Sequence, residues 1–365
     1  MTTDVGASAA LQAWDLVGKM LDDMTAMVRE DAETELELLE GLRVLARITA
    51  LCSELSVDVD PEAPWFFSMT SPARLVGGPN PDGEYTLAMI DGSRGYRVRG
   101  YRGTTAYLGF QVLAGVGLTP RRMAAYLSDR DLAVAADGPF SLVLSGIKPA
   151  AGELDGGVWL EIPADASAIV VREYVADRSA EEPARLAIEP LDALRLPAQP
   201  DDVLIAGQLT SMAWTIAKLA TLHRTIKPEL LDRPNQLLTA RSDDLGAADT
   251  TPDNLYMIGT FRLGDGESLT LDIDPPVTRY WSVTLENIWH ECIDARRRRS
   301  SITNAAAVTS PDGHVRIVIS AADPGSPNWL DTGGRHRGFI VLRWLDNPDP
   351  PAVQTTLRPA SLATP

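Results

Sequence analysis

Apolar residues recur at helical spacing at the start of the chain, through Leu11, Trp14, Leu16, Val17, Met20, Leu21, Met24, Met27 and Val28. A second run follows through Leu36, Leu38, Leu39, Leu42, Leu45 and Ile48. A period near 3.6 gives each run one apolar face, so residues 8–55 are predicted to form a hairpin of two helices within a helical segment 1–56. From Val57 the period shortens. In YRVRGYRG, Tyr96, Val98 and Gly100 face one way and Arg97 and Arg99 the other, as in a half-buried strand. Similar runs separated by Pro and Gly predict a first β-sandwich-like domain over 57–200, closed by the acidic, Pro-rich EEPARLAIEPLDALRLPAQPDD.

Helical spacing returns at 203–226 through Leu204, Leu209, Met212, Trp214, Ile216, Leu219 and Leu222, which sets a helical connector at 201–249. A polar loop through Asp249 and Asp253 follows. The runs NLYMIGTFRL, ESLTLDID, TRYWSVTLEN, HVRIVISA and GFIVLRWL then predict a second β domain at 250–348, and residues 349–365 read as a tail. The fold class is mostly β with helical segments (α+β): two antiparallel β-sandwich or jelly-roll-like layers, an N-terminal helical hairpin and a central helix. DGEYTLAMID at 82–91 echoes DGESLTLDID at 265–274, which a duplicated sandwich or a chance recurrence of Asp-Gly turns explains equally well.

Composition narrows the partners. A formal charge of -17 repels nucleic acid and anionic lipid, so neither is an expected partner. The run Arg296, Arg297, Arg298, Arg299 reads first as a set of salt bridges and second as a local anion site. Two cysteines, Cys52 and Cys292, give no disulfide framework, and the N-terminus lacks the basic leader of a signal peptide. No window reaches the roughly 18 uncharged apolar residues of a membrane span, and the expected location is the cytoplasm.

The segments RYWSVTLENIWHECIDARRRRSSITN, DGHVRIVIS, DPGSPNWLDTGG and GFIVLRWL, in that order, resemble the C-terminal domain of the DUF1214 family over about residues 250–348. The matching positions are Tyr280, Trp281, Ser282, Thr284, Asn287, Ser301, Asn304, Asp312, Gly313, Asn328, Trp329, Leu330, Arg343 and Trp344. This uncharacterised family is often paired with a DUF1254 domain. The resemblance implies a double β-sandwich with helices between the layers and a tendency to oligomerise, and it implies no chemistry.

His290 and Glu291 open a zincin-like pair, but Asp294 stands where the second histidine belongs, so no metal is expected. Phosphate-binding glycine loops and the GxSxG elbow are absent from the sequence, and no cofactor is expected. Carboxylates near tryptophans remain: Glu286, Glu291, Asp294 and Asp331 beside Trp281, Trp289, Trp329 and Trp344. Flat rings beside paired acids suit sugars, and equally suit a packed core with ion pairs. The loop NWLDTGGRHRG gathers Asp331, Arg335, His336 and Arg337.

The candidate catalytic residues are Glu291, His290, Asp331 and His336, and the candidate ligand-binding residues are Glu286, Asn287, Trp289, Asn328, Trp329 and Arg337. Asn287, His290, Glu291, Asp331 and Arg337 are expected to meet in one pocket. Two functions remain open. One is binding of, or metal-independent acid/base action of hydrolase or lyase type on, a small organic molecule, carbohydrate-like or a hydrophobic alcohol. The other is a structural protein whose sandwiches build a homo-oligomer.

Overall fold

The computed structural model describes residues 8–115, 121–132, 134–193, 199–225, 228–241, 245, 250–346 and 349–359; Asp249, Ile226 and the end of the expected tail lie outside them. Two long helices come first, α1 (Ala9–Asp31) and α2 (Glu35–Ser56). The first half continues with β1 (Phe67–Ser68), β2 (Gly83–Met89), β3 (Tyr96–Tyr101), β4 (Tyr107–Ala114), β5 (Arg122–Ser128), α3 (Asp129–Leu132), β6 (Pro139–Ser145), α4 (Ala151–Leu154), β7 (Val158–Glu161), β8 (Ala166–Tyr174) and β9 (Arg185–Pro190). The second half holds α5 (Asp202–Ala220), a 3₁₀ turn (Leu222–Thr225), α6 (Pro228–Asp232), β10 (Leu237–Arg241), β11 (Asn254–Arg262), β12 (Glu267–Ile273), β13 (Trp281–Glu286), β14 (Ser301–Thr303), β15 (Val315–Ser320), β16 (Trp329–Asp331), β17 (Arg337–Leu345) and β18 (Val353–Pro359).

The helices begin where their sequences can cap them. Thr34 and Glu37 close a capping box at α2. The Asp202 carboxylate accepts from the backbone N–H groups of Ala9 and Ala10 at 2.9 and 3.0 Å, tying the start of α1 to the start of α5. Arg224 ties the far ends together through Asp31 and Glu30. α1 and α5 therefore run parallel, and with α2 they form one helical layer. α5 is long and apolar enough to cross a membrane by length and composition; one side of it packs on α1 and α2.

Two sandwiches follow. The first pairs a sheet of order β1-β2-β8-β4-β5 with one of order β7-β6-β3-β9, and the second pairs β10-β11-β17-β13-β14 with β16-β15-β12-β18. Each strand of the first has its counterpart nine strands on, so the architecture is duplicated. Neighbours are antiparallel except β6 with β7 and β15 with β16, which are parallel and thus depart from the wholly antiparallel layers expected. The repeat reaches single side chains: the Trp159 indole donates to Ser145 in one copy, and Trp329 donates to Ser320 in the other. The echo seen in the sequence pairs β2 with β12, whose structural counterpart is β3, so it is not the trace of this duplication.

β10 lies in the expected connector and β18 in the expected tail, yet both are strands of the second sandwich. β9, likewise, lies in the Pro-rich stretch expected to close the first domain. All three are edge strands, and the alternation of β9 and β18, RLAIEP and VQTTLRP, is weakly apolar.

The sandwiches meet through a stacked column of Tyr107, Tyr174 and Tyr280, with ring centroids 5.2 and 4.9 Å apart. Polar partners cross reciprocally. Asn80 of the first copy donates to the Tyr280 hydroxyl, and Thr251 of the second bonds Tyr174. Ser301 donates to Asp82, and the counterpart Tyr126 donates to Asp253.

Glu173, on β8, is buried and accepts from the Thr105 hydroxyl at 3.0 Å and the Ala184 N–H at 2.8 Å. Burial pushes its carboxyl up to about 7, against those two bonds, from an ordinary 4.5. Between these values the folded state holds a proton that the unfolded chain has released. Its stabilising contribution is therefore full below 4.5 and drains away as pH rises through about 7. Glu173→Gln is expected to flatten the fall of the urea midpoint across that window; an unchanged slope would assign the pH dependence to another group.

Candidate functional site

The end of β13 is shaped by Asn287. Its side-chain carbonyl accepts from the N–H groups of Trp289 and Glu291 at 3.0 and 3.1 Å, closing a turn. The turn puts His290 at φ 55°, a left-handed conformation that is uncommon for a residue with a side chain and persists where the surroundings over-determine it. Gly78 N–H donates to the His290 carbonyl at 2.8 Å, and Glu291 bridges Val76, so the 75–78 segment holds the turn from the first half of the chain.

His290 Nδ1 lies 2.8 Å from Glu286 Oε2, and its ring stacks on Phe339 with centroids 4.0 Å apart. Glu286 is fully buried, and its other oxygen stands 3.9 Å from the buried Arg343 guanidinium, too far for a direct hydrogen bond. Arg343 is held by the Gly78 carbonyl at 2.8 Å. The contact with Glu286 orients the ring through Nδ1 and leaves Nε2 as its second nitrogen. No described residue bonds that nitrogen. The counterpart of Glu286 in the first sandwich is Leu113, opposite Ala168 as Glu286 is opposite Phe339. A second pair stands nearby: His223 Nε2 is 2.6 Å from Asp31, and its ring meets Trp289 edge-on at 4.9 Å. Burial lowers the pKa of His223, with Asp31 opposing and His290 and Arg224 adding to the lowering.

Glu291 and Arg337 belong to a different arrangement. Along α2 and its N-terminal approach, Glu33, Glu37, Glu40, Arg43 and Arg47 form one stripe. Arg337 takes Glu37 with two nitrogens at 2.7 and 2.8 Å and reaches Glu33 at 2.6 Å. Arg335 pairs with Glu40, and Glu291 receives Arg43 on one oxygen and Arg47 on the other. Glu37 and Glu40 are buried in consequence, while Leu36, Leu39 and Leu42, expected on the buried face, are exposed. Trp289 passes beneath, its indole donating to the Glu37 carbonyl at 2.9 Å. Gly41 permits the close approach, for a Cβ there would lie 2.6 Å from Val28 and 2.8 Å from Trp289.

The remaining candidates are scattered. Asp331 pairs with Arg298 at 2.7 Å, and Asn328 staples Val308 to the Arg316 carbonyl. Trp329 repeats the Trp159 staple at the β15–β16 edge, and Trp281 and Trp344 are sandwich core. His336 is more than half exposed beside a depression of about 100 Å³, lined also by Asp265, Glu267 and Thr332. A second, of about 30 Å³, is lined by Glu291, Arg43, Arg47 and Arg296. The five residues expected to share one pocket therefore divide: Asn287, His290 and Glu291 share a turn, while Asp331 and Arg337 are occupied by their own arginine and glutamates. The Cys292 thiol is buried, donates to the Pro79 carbonyl, and has its pKa raised by burial. Sequence reasoning missed Gly78, His223, Phe339 and the α2 stripe. The stripe alone left a trace, in charges at helical spacing beside an apolar run.

The model of the DUF1214 family, a protein family of unknown function, matches residues 263–349. A crystal structure of an uncharacterized protein from Burkholderia cenocepacia matches with a TM-score of 0.89 and 31% identity, over 96% of this chain and 97% of that one. The C-terminal segment belongs to the DUF1214 family. It begins at 263 rather than 250, inside the second sandwich. The VPA0106 protein from Vibrio parahaemolyticus is a looser match, with a TM-score of 0.49 and 13% identity over 88% of this chain and all of that one. No curated protein sequence matches.

Burial pushes the Glu37 carboxyl up, but Arg337 and the N–H groups of Glu33 and Thr34 outweigh it and hold the group below its ordinary 4.5. Such a contribution is present above 4.5 and lost as pH falls through the lowered value. Arg337→Ala is expected to cost about 2–3 kcal/mol by urea unfolding at neutral pH, since it leaves a buried carboxylate unpaired, and the deficit should shrink in acid. A loss under about 0.5 kcal/mol, the size of an exposed pair, would mean the contact is solvated.

Proposed function

We propose that the chain binds, and acts by acid/base chemistry on, a small hydroxyl-bearing organic molecule, carbohydrate-like or an alcohol, at His290. The observation that carries this reading is the buried Arg343–Glu286–His290 series ending in an Nε2 without a described partner. A base must be oriented by a second group and have its free nitrogen within reach of the proton it takes; a carboxylate on Nδ1 supplies the first condition. A substrate hydroxyl would meet Nε2, and Glu286 would stabilise the imidazolium formed. Phe339, stacked on the imidazole, supplies apolar surface at the position, which suits a partly apolar ligand.

Binding by a panel of monosaccharides and alcohols, observed by ligand NMR, tests it. His290→Asn is the chosen variant because asparagine tolerates the left-handed backbone. A ligand held by the wild type should bind about tenfold more weakly to this variant, with little change in Tm. No binder in the panel, or one indifferent to the substitution, would remove the reading.

A second reading, assembly into a homo-oligomer, is favoured by one observation. Leu11 and Trp14 on α1 and Val203, Leu204 and Trp214 on α5 are exposed on the helical layer, with Trp14 at 58% and Val203 at 79%. A second copy meeting this face would cover them. Light scattering should then give a dimer that Trp214→Lys converts to a monomer; a monomeric wild type at all concentrations tells against it.

A further inference from the structure

We propose that the depression between α2 and the Cys292–Arg296 segment is an oxyanion site, taking the phosphate or carboxylate end of a small molecule. It is independent of the His290 reading. His290 turns toward Glu286 and Phe339, whereas Glu291, the next residue, turns toward α2.

Arg43 and Arg47 stand on successive turns of α2, and their tips meet over Glu291, which is 1% exposed. A guanidinium carries five N–H donors. Among the described residues, acceptors engage only Nη2 of Arg43, shared between Glu40 and Glu291, and Nη1 of Arg47. The unused donors belong to side chains 51% and 28% exposed at the mouth of the depression. Arg296 forms the opposite wall. Its side chain is 44% exposed, and Nε lies 3.5 Å from Asp294, an ionic contact longer than a normal N–H···O bond. Three guanidinium forks thus converge on a space of about 30 Å³, with Pro72, Ala73 and Leu75 as its apolar wall. That volume admits a terminal group and leaves the rest of a ligand at the mouth. Planar forks are the side chains suited to paired contacts with phosphate and carboxylate oxygens.

The charge balance points the same way. Among the described residues, Arg43, Arg47 and the run Arg296 to Arg299 face Glu291, Asp294, Asp331 and Glu40, the last shared with Arg335, so six guanidinium groups meet four carboxylates although the chain as a whole carries -17. Asp294 is shared by Arg296 and Arg297 at 3.5 and 3.6 Å, and Arg299 has no carboxylate partner among the described residues. A positive spot on an acidic surface concentrates anions there, because the remainder of the surface repels them.

Isothermal titration of the full chain at low ionic strength, first with inorganic phosphate and then with acetate, tests the proposal. Saturable binding of about one equivalent is expected, weakened about tenfold by Arg296→Gln. It should be unchanged by Arg185→Gln, an exposed arginine of the first sandwich, and by His290→Asn. Phosphate that acetate does not displace identifies a phosphoryl end, and displacement identifies a carboxylate or general oxyanion end; both support the site. Absence of saturable binding by either ion, or wild-type affinity in Arg296→Gln, overturns it. Arg296 is surface-exposed, so loss of fold does not confuse the result, and the Tm of the variant verifies this.

Discussion

Buried polar groups must find partners, and in this chain the two sandwiches supply them to each other. The segments before β2 and β11, carrying Asn80 and Asp82 in one copy and Thr251 and Asp253 in the other, reach across to Tyr280, Ser301, Tyr174 and Tyr126. A hydroxyl or carboxylate left without its partner here costs about 1–3 kcal/mol. Separated, each sandwich would hold several such groups. The stacked tyrosines close the centre, and ion pairs of Arg279 with Asp129 and of Arg130 with Asp346 extend the junction at its rim. The turn at His290, held by Gly78 and Val76 of the first half, depends on this fixed relation.

The helical layer is positioned by a second device of a different kind. Apolar packing seats the later turns of α2 through Val44, Leu45, Ile48, Leu51 and Leu55, and its first turns, where Leu36, Leu39 and Leu42 are exposed, are held by charge. A row of glutamates and arginines engaging Arg335, Arg337 and Glu291 does not slide, since each displacement strands a buried charge. Buried ion pairs are weak contributors to net stability but strong selectors of geometry in some systems, and α2 fits that use. The same row determines that Glu291 and Arg337 serve docking, while Glu286, one strand end away and shielded from α2, is committed to His290.

Helices, strands and the family segment were legible because each depends on near neighbours in sequence. α2 was legible as a helix and misleading as a surface: Leu36, Leu39 and Leu42 fit the apolar template, yet Glu37 and Glu40 are the buried residues. The reason lies nearly three hundred positions away, in Arg335 and Arg337, which no local window contains. The duplication was raised in the sequence only from a false trace, for a related reason. Its signature is strand order and pairings such as Trp159–Ser145 and Trp329–Ser320, whereas the textual echo aligned strands that do not correspond. Of the candidate site, Glu286, Asn287 and His290 were legible in one short segment. Gly78, His223 and, on β17, Phe339 and Arg343 complete it from three other parts of the chain.

Leu113 and Glu286 occupy one node of a repeated frame. In the first copy the node is apolar and pressed beneath helices, so its tolerance to polar change is small. In the second it already carries a charge, balanced by an arginine, on ground the helices leave to loops. A lineage carrying both copies can therefore keep the first as foundation and let the second drift in chemistry, one residue at a time, without either core being rebuilt.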